Sequence, residues 1–592
     1  MARAPSGPID EATGREICQR EALNAVILGS ITKLGSRYVL TARAISPGGQ
    51  NLASTEDVVG DAGELPASLD RISRYLRKAL GESKRQIEES SVPVADVTTA
   101  SLEAIRSFSA GKQKLYAGSL QDARADFEKA LQLDPAFAMA HEYLGIAYLH
   151  QGNPVRAEEE LKKTLPLIDH VTEQEKQKIL GDYNFLRRDF DQAIFHYKRL
   201  KELRPRDTVP SLNLAQCFVG KQNFDSALAE TKVAIEGVPA PGPENNLAEI
   251  YLLKGDVGSA FSTAEDIVKK DPSNVRGLEN LGWAYVLKNQ PAEARRIFEH
   301  MVELGSDAES RGRSALADMA LASGRVGEAK RQLEVGMAVD RQLGNAFAAR
   351  KKQILMATTA LKAGGHIFLA DRERDQVGND PLLVFLAGLV YARANLPSEL
   401  AKSYSRLDAA VKNNGVPTMQ SFREMLGAKS ALLNHDPDGA VQSAERAVAF
   451  EPSTLALEIL AESYAAVRRP REAVDAYEKV LARSAERSQS YDAPAYHRVI
   501  EIHYLLGVLY DGIGETSAAR SHLERFLSWR SHADGKSKIY SDAKARLRRL
   551  AAESKTGIPT PAMYIADSVT PSIPSSFSIS ESLNAMVQKG AK

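Results

Sequence analysis

Three asparagines recur at one position of a periodic pattern, and a side chain of this type can recognise another molecule. Asn213, Asn246 and Asn280 each stand directly before a leucine that is followed by a glycine or an alanine. A carboxamide donates and accepts hydrogen bonds at the same time. A column of such groups can therefore satisfy the backbone of an extended peptide without reading its sequence.

Further binding residues are expected within about one helical turn of these asparagines. They are Gln216, Glu249, Arg276 and Trp283. Tryptophan and arginine are the residue types that most often dominate the energy of a protein interface. The sequence therefore predicts a peptide-binding surface and no catalytic machinery around the asparagine column.

Catalytic, cofactor and metal sites are not predicted anywhere in the chain. Ser109-Ala110-Gly111-Lys112 lacks the first glycine of a phosphate loop and falls inside a helical pattern. His497 and His503 are six residues apart, which does not place both on one helical face, so a surface or packing role is expected instead of metal binding. The charged run 371–375 alternates in sign and is typical of a solvated loop.

Composition narrows the function classes further. A chain of 592 residues is too long for one ordinary core, so several domains or a repeat array are expected. The 76 basic and 76 acidic residues balance, which argues against a nucleic-acid partner. Cys18 and Cys217 are too few for a disulfide framework. No apolar run reaches the roughly eighteen residues of a membrane span, so membrane insertion is not expected and the cytoplasm is the default location.

The elements that position the asparagines come from an internal repeat. An alanine of the frame Ala-x-x-x-Phe-x-x-Ala recurs at steps of 34, 36, 34, 33, 34 and 35 residues, and it returns after a less regular stretch. The positions are Ala123, Ala157, Ala193, Ala227, Ala260, Ala294, Ala329, Ala440, Ala473 and Ala519. Apolar spacing of i, i+3, i+4 and i+7 predicts two amphipathic helices in each repeat, and a small residue in the first helix lets the second approach closely.

The repeat resembles the tetratricopeptide repeat (TPR) family, most clearly at Asn280-Leu281-Gly282-Trp283-Ala284-Tyr285 with Ala294 and Phe298. The resemblance implies a mainly α fold, a right-handed α-solenoid of about 10–12 helical hairpins. It also implies that the asparagine position faces the concave groove, where a protein or peptide ligand would bind. Asparagine is common at this position in the family, so the column is equally consistent with repeat ancestry alone.

The expected domain organisation follows from these patterns. A small α/β module, either complete or truncated, is expected over 1–82, in the order helix, three-strand meander and helix. Residues 24–33, 37–46 and 51–59 have strand patterns, and the second helix runs from about 64 to 80. A linker follows over 83–100, seven regular repeats over 101–339, irregular helical pairs over 340–415, and further repeats with a capping helix over 416–553. The tail 554–592 is rich in Ser and Pro, and disorder is expected there.

The front module is also similar to one that precedes such arrays in bacterial signalling proteins, on the residues Ala25-Val-Ile-Leu-Gly-Ser-Ile31 and Tyr38-Val-Leu40. The resemblance implies an alternative function: the chain would be the sensory part of a serine/threonine kinase, adenylate cyclase or transcriptional regulator. The output domain would then lie upstream, and the location would be extracytoplasmic if that domain is a membrane-anchored kinase. A second copy of the same chain, giving a homo-oligomer, is a further candidate partner.

Overall fold

The structure is a computed structural model that describes residues 10–20, 23–84, 87, 99, 101–116, 119–151, 154–205, 207–237, 241–362, 380–413, 417–488, 496–530 and 538–556. The predicted linker 83–100 and tail 554–592 lie mostly outside these residues, and the charged run 371–375 lies wholly outside them. The chain divides into two compact units. The first comprises residues 1–150 and 156–183, and the second comprises 151–155 and 184–592.

The first unit begins with a three-stranded antiparallel sheet between two helices, in the order α1 (Glu11–Arg20), β1 (Val26–Leu34), β2 (Arg37–Ile45), β3 (Asn51–Val59) and α2 (Leu65–Ala79). The two-residue turn between β1 and β2 has Gly35 at a φ of 64°, a conformation that glycine adopts without steric cost. The strand pattern therefore predicted the sheet correctly. Its core lies on the face that α2 covers, and it contains Leu40, Ala42, Ala44, Ala53, Val59, Leu65, Ile72 and Leu76.

The rest of the described chain is helical, as expected for an α-solenoid. The helices up to the middle of the chain are α3 (Leu102–Tyr116), α4 (Leu120–Leu133), α5 (Ala138–His150), α6 (Pro154–Thr164), α7 (Glu173–Leu186), α8 (Phe190–Leu203), α9 (Val209–Gly220), α10 (Phe224–Gly237), α11 (Pro241–Lys254), α12 (Val257–Lys270), α13 (Val275–Leu287), α14 (Pro291–Glu303), α15 (Ser306–Ala322), α16 (Val326–Gln342) and α17 (Ala346–Lys362). The later helices are α18 (Pro381–Arg393), α19 (Pro397–Asn413), α20 (Pro417–Leu433), α21 (Pro437–Phe450), α22 (Thr454–Ala466), α23 (Pro470–Ala482), α24 (Tyr496–Gly512), α25 (Thr516–Trp529) and α26 (Lys538–Thr556).

Short polar turns separate the helices of each pair. Several second helices begin at an aspartate whose carboxylate accepts a backbone N–H of the first turn, as Asp256 does from Ser259 at 3.0 Å. The turn before such a helix contains a residue with positive φ, which is Gly255 at 83° in this pair. Non-glycine residues occupy the same place elsewhere, so the geometry of the turn is set by the packing of the two helices.

The small residue of the first helix is needed for close packing. A Cβ atom added to Gly282 in α13 would lie 2.4 Å from the ring of Phe298 in α14, and one added to Gly507 in α24 would lie 2.7 Å from Leu523 in α25. Phe298 and Leu523 are fully buried. The two helices of a pair can therefore approach this closely only because the first helix carries a small residue at that position.

The core of the second unit joins residues that are distant in sequence. One continuous buried cluster contains side chains of α11 to α15 together with side chains of α22 to α26. In a simple repeat array each repeat contacts only its neighbours. Here the late helices also pack against helices that lie about halfway along the chain, and this arrangement determines which parts of the predicted binding surface are open.

Candidate functional site

The predicted binding residues lie on the first helices of consecutive pairs in the second unit. Gln216 in α9, Glu249 in α11 and Trp283 in α13 each stand two residues after the leucine of the repeat pattern. Asp318 in α15, which was not among the predicted residues, has the same position in the next repeat. We call the surface made by these four residues and by the neighbouring Asn213, Asn246, Arg276 and Asn280 the first-helix face. Equivalent positions of stacked repeats form a continuous surface, so the first-helix face is the surface on which the predicted peptide ligand would lie.

Asn280 has an internal structural role. Its side chain is 5% exposed, and its Nδ2 donates to the backbone oxygen of Asn245 at 3.1 Å. Asn245 is itself buried and donates from its Nδ2 to the Oδ1 of Asn274, which caps α13. Asn280 therefore links α13 to α11, and its carboxamide is not presented to a ligand, contrary to the expectation for the asparagine column.

Asn246, Glu249 and Arg276 form one polar cluster between α11 and α13. The Nη2 of Arg276 donates to the Oδ1 of Asn246 at 2.9 Å and to the Oε2 of Glu249 at 2.8 Å. Burial raises the pKa of Glu249, although the neighbouring guanidinium acts in the opposite direction. The side chain of Arg276 is 47% exposed, so this cluster can meet a ligand without a rearrangement of the core.

Asn213 and Gln216 are the part of the predicted site that remains available. Both are half-buried on α9, and neither side chain makes a hydrogen bond to any other residue that the structure describes. One turn further along α9, a cleft of about 520 Å³ opens beside Gly220, Lys221 and Gln222. Its opposite wall consists of Pro452, Leu457, Lys479, Ala482 and Arg483.

Trp283 lies in the core, although its sequence position predicts a contact with a ligand. It is 3% exposed, with its ring centroid 5.4 Å from that of Phe298 and 6.0 Å from that of Tyr496. Tyr496 in turn packs against Trp529 at 5.9 Å. The indole Nε1 of Trp283 has no hydrogen-bond partner among the described residues. The first turn of α24 therefore covers the part of the first-helix face where a hot spot was expected.

Asp318 holds the start of α24 in this position. Its carboxylate accepts the backbone N–H of Tyr496 at 2.8 Å and that of His497 at 3.1 Å, and it also contacts the Nδ1 of His497 at 2.6 Å. Negative charge at a helix N-terminus is favourable because the first N–H groups have no partner within the helix. The side chains of Asp318 and His497 are 0% and 4% exposed. The contact is therefore a buried docking point of a helix end on the first-helix face.

The 3-10 segment Ser484–Ser488, which precedes α24, extends this coverage. It contacts α11 and α13, and its Ala485 belongs to the same buried cluster as Trp283 and Tyr496. Sequence reasoning missed this contact, although a signal was present: the step from Ala473 to Ala519 is 46 residues, twelve more than a 34-residue repeat. The extra residues lie between α23 and α24, where the covering segment begins.

Other titratable clusters suggest no catalytic arrangement. In the first unit, Lys178 forms ion pairs with Glu142 and with Asp182, and burial raises the pKa of Glu142. In the second unit, His503 faces His522 with their Nδ1 atoms 2.9 Å apart. Among the residues that the structure describes, no group of three His, Cys, Asp or Glu side chains is placed to hold a metal ion. No helix in the same residues is both long enough and apolar enough to cross a membrane.

Two family models match the chain, and both describe the tetratricopeptide repeat. They match residues 108–168 and 310–334. The first match covers the second half of α3 and all of α4, α5 and α6, and the second covers most of α15 and the first half of α16. The matched repeats have the same pattern as the helix pairs between them, so the two matches and the helix pairs agree on one kind of repeat.

A curated relative matches a small part of the chain. The Protein STIP1 homolog of Dictyostelium discoideum is 27% identical over 124 residues, which cover 19% of this chain and 22% of the relative. The chain therefore matches about a fifth of the length of this relative.

Solved structures show local likeness only. MamA is 19% identical and covers 33% of this chain and 93% of its own, with a TM-score of 0.18. A tetratricopeptide repeat protein from Parabacteroides merdae is 13% identical, and the match covers 58% of this chain and 98% of that protein, with a TM-score of 0.22. YrrB, described as a TPR protein with an unusual peptide-binding site, is 20% identical, and the match covers 33% of this chain and 94% of YrrB, with a TM-score of 0.20. At TM-scores this low, nothing further follows for this chain.

Proposed function

We propose that this chain, which matches tetratricopeptide-repeat models over residues 108–168 and 310–334, is a protein-interaction scaffold. Its second unit would bind an extended peptide or a partner helix along the first-helix face. The part of the face that receives the ligand first is the stretch from Asn213 and Gln216 on α9 to the cluster of Asn246, Glu249 and Arg276. Catalysis has no role in this proposal.

One observation carries the proposal. Asn213 and Gln216 make no hydrogen bond to another described residue. They lie about two turns and about one turn before Gly220, which borders a cleft of about 520 Å³. The equivalent residues Trp283 and Asp318, two and three repeats further on, are covered by α24. A ligand backbone can therefore use the carboxamides of Asn213 and Gln216 as donors and acceptors.

The exposed guanidinium of Arg276 gives the ligand a second contact. Arg276 already orients Asn246 and Glu249 across two repeats, so its position is fixed before a ligand arrives. A group that is already ordered loses little conformational entropy on binding. We therefore expect Arg276 to contribute more to affinity than an equally exposed lysine on a second helix.

The test is a selection of peptides from a display library on the purified full chain, followed by titration of the selected peptides by fluorescence anisotropy. Asn213→Ala and Gln216→Ala should each weaken binding about fivefold, the loss of roughly one hydrogen bond of ~1 kcal/mol. Arg276→Gln should weaken it about tenfold or more, because hydrogen bonds to charged groups contribute about 1.5–3 kcal/mol.

The matched control is Lys269→Gln, which removes a cation from the second helix α12, where the lysine is 64% exposed. It should leave the affinity unchanged. If Asn213→Ala, Gln216→Ala and Arg276→Gln bind the selected peptides as tightly as the Lys269→Gln control does, the ligand does not lie on the first-helix face and the assignment fails.

A further inference from the structure

The first turn of α24 occupies the part of the first-helix face formed by Trp283 and Asp318. The contact combines an aromatic side chain, Tyr496, with a helix N-terminus and a histidine nitrogen, all from two consecutive residues. It uses the positions of the repeats that are equivalent to Gln216 and Glu249. The contact therefore resembles a bound ligand in which receptor and ligand belong to one chain.

We propose that the start of α24 is an internal competitor for the first-helix face, and that a partner binding the whole face must displace it. This inference rests on the proposed function, because it concerns the same surface. It also specifies the chemistry of the partner: an aromatic residue that packs on Trp283, next to N–H donors that satisfy Asp318.

The chemistry of Asp318 determines what can take the place of the competitor. A carboxylate that is 0% exposed and accepts three hydrogen bonds has a large desolvation cost if its partners are removed without substitution. Water that enters the opened face, or a partner that brings its own N–H donors, can supply the missing hydrogen bonds. A partner without donors leaves Asp318 buried and unsatisfied, so the face discriminates against purely apolar segments.

The internal competitor, the start of α24, binds the face with a strong advantage in effective concentration over a free peptide. A segment that is tethered to its own receptor acts at an effective concentration of about millimolar or more. A free peptide with the sequence of residues 484–502 should therefore show little binding to the wild-type chain, even though it contains the same contact residues. Weakening the contacts made by the start of α24 should make the face available to the free peptide. Changing the first-helix face itself should abolish binding of the peptide.

The experiment uses one variant of each kind in the full chain. The ligand-side variant, Tyr496→Ala with His497→Ala, changes the competitor and keeps Trp283 and Asp318 intact. The receptor-side variant, Asp318→Ala, changes the face itself. A fluorescein-labelled peptide of sequence 484–502 should bind the ligand-side variant at least about 30-fold more tightly than either the wild type or the receptor-side variant.

The two tryptophans of the chain report opening independently of any ligand. Trp283 and Trp529 are 3% and 5% exposed, and both are neighbours of Tyr496. In a Trp529→Phe background, the ligand-side variant should shift the emission of Trp283 to longer wavelength and increase its quenching by acrylamide. Hydrogen exchange of the first amides of α24 should become faster in both variants.

The control is Asp307→Asn, which changes an acid on the same helix α15 that is 65% exposed and pairs with Arg311. It should leave the emission, the exchange and the peptide binding as in the wild type. Far-UV circular dichroism of each variant must show the helix content of the wild type, and Tyr496→Phe with His497→Gln serves as a milder pair if the alanine pair lowers it.

The proposal is overturned if the peptide binds the receptor-side variant as tightly as the ligand-side variant. It is also overturned if a folded ligand-side variant keeps the tryptophan emission of the wild type. Neither result depends on peptides selected from a library, so failure here is distinct from failure of the Asn213, Gln216 and Arg276 variants.

Discussion

The substitution Gly282→Ala tests the packing that places the first-helix face. The new Cβ would lie 2.4 Å from Cε1 and 2.6 Å from Cζ of Phe298, whereas ordinary contacts of this kind begin near 3.4 Å. The ring would have to move by about 1 Å to relieve the contact. Phe298 is fully buried and packs against Trp283, so the movement would disturb the core under the binding surface.

The expected magnitude is a difference of two effects. Overpacking of a core costs about 1–3 kcal/mol, whereas replacing a helical glycine by alanine gains about 1 kcal/mol from helix propensity. Gly282→Ala should therefore lower the free energy of unfolding by roughly 0–2 kcal/mol. The matched control is Gly512→Ala in the last turn of α24, where a new Cβ meets nothing within 4 Å, and this variant should gain about 0.4–1 kcal/mol.

The assay is urea unfolding followed by far-UV circular dichroism, with the midpoints of the two variants compared directly. Midpoints are preferable because a long array of repeats does not unfold in two states as a rule. The midpoint of Gly282→Ala should lie below that of Gly512→Ala. If the two variants shift equally and upward, Phe298 is free to move and the close-packing argument is refuted.

Three further predictions concern charged groups of the second unit. Lys352→Met should destabilise the second unit by about 3–5 kcal/mol, because Lys352 pairs with Asp340 at 2.6 Å and both side chains are buried. Adding Asp340→Leu to this variant should restore much of the lost stability, as measured by a thermal melt. Burial and the neighbouring His522 lower the pKa of His503 to about 3, below the ordinary 6.5, so the unfolded state binds the proton more readily. The stability that His503 contributes should therefore be complete above about pH 6.5 and should fall as the pH is lowered toward 3. A His503→Gln variant should show a shallower fall in the denaturation midpoint over this pH range. Arg276→Gln should raise the pKa of Glu249 further, since Arg276 is the group that lowers it, and carboxyl NMR titration measures the shift.

Periodicity was enough to predict the helices and the general kind of repeat, because those depend on neighbours within one or two repeats. The alanine and glycine positions of the pattern identify the contact between paired helices, and Gly282 against Phe298 is an example. The strand pattern was likewise sufficient for the front sheet, where Gly35 closes a turn between adjacent strands. Such local signals do not depend on the rest of the chain.

The environment of the binding residues could not be read from the same pattern. Asn213, Asn246 and Asn280 have the same position in their repeats, yet one is unpaired among the described residues, one is paired with Arg276 and one is buried against a backbone oxygen. The difference arises from contacts outside the local pattern, and for Trp283 from a residue more than two hundred positions later. The resemblance to bacterial signalling proteins stays a prediction, and the adjoining reading frame is its test.

The contact between Asp318 and His497 also affects how the second unit folds. It joins residues 179 positions apart, whereas simple repeat arrays contain mainly short-range contacts and can fray from their ends one repeat at a time. Such a long-range contact raises the contact order, which slows folding, and it couples the middle of the array to its last repeats. Unfolding should therefore be more cooperative than in an open array of the same length, and loss of the contact should separate one transition into two.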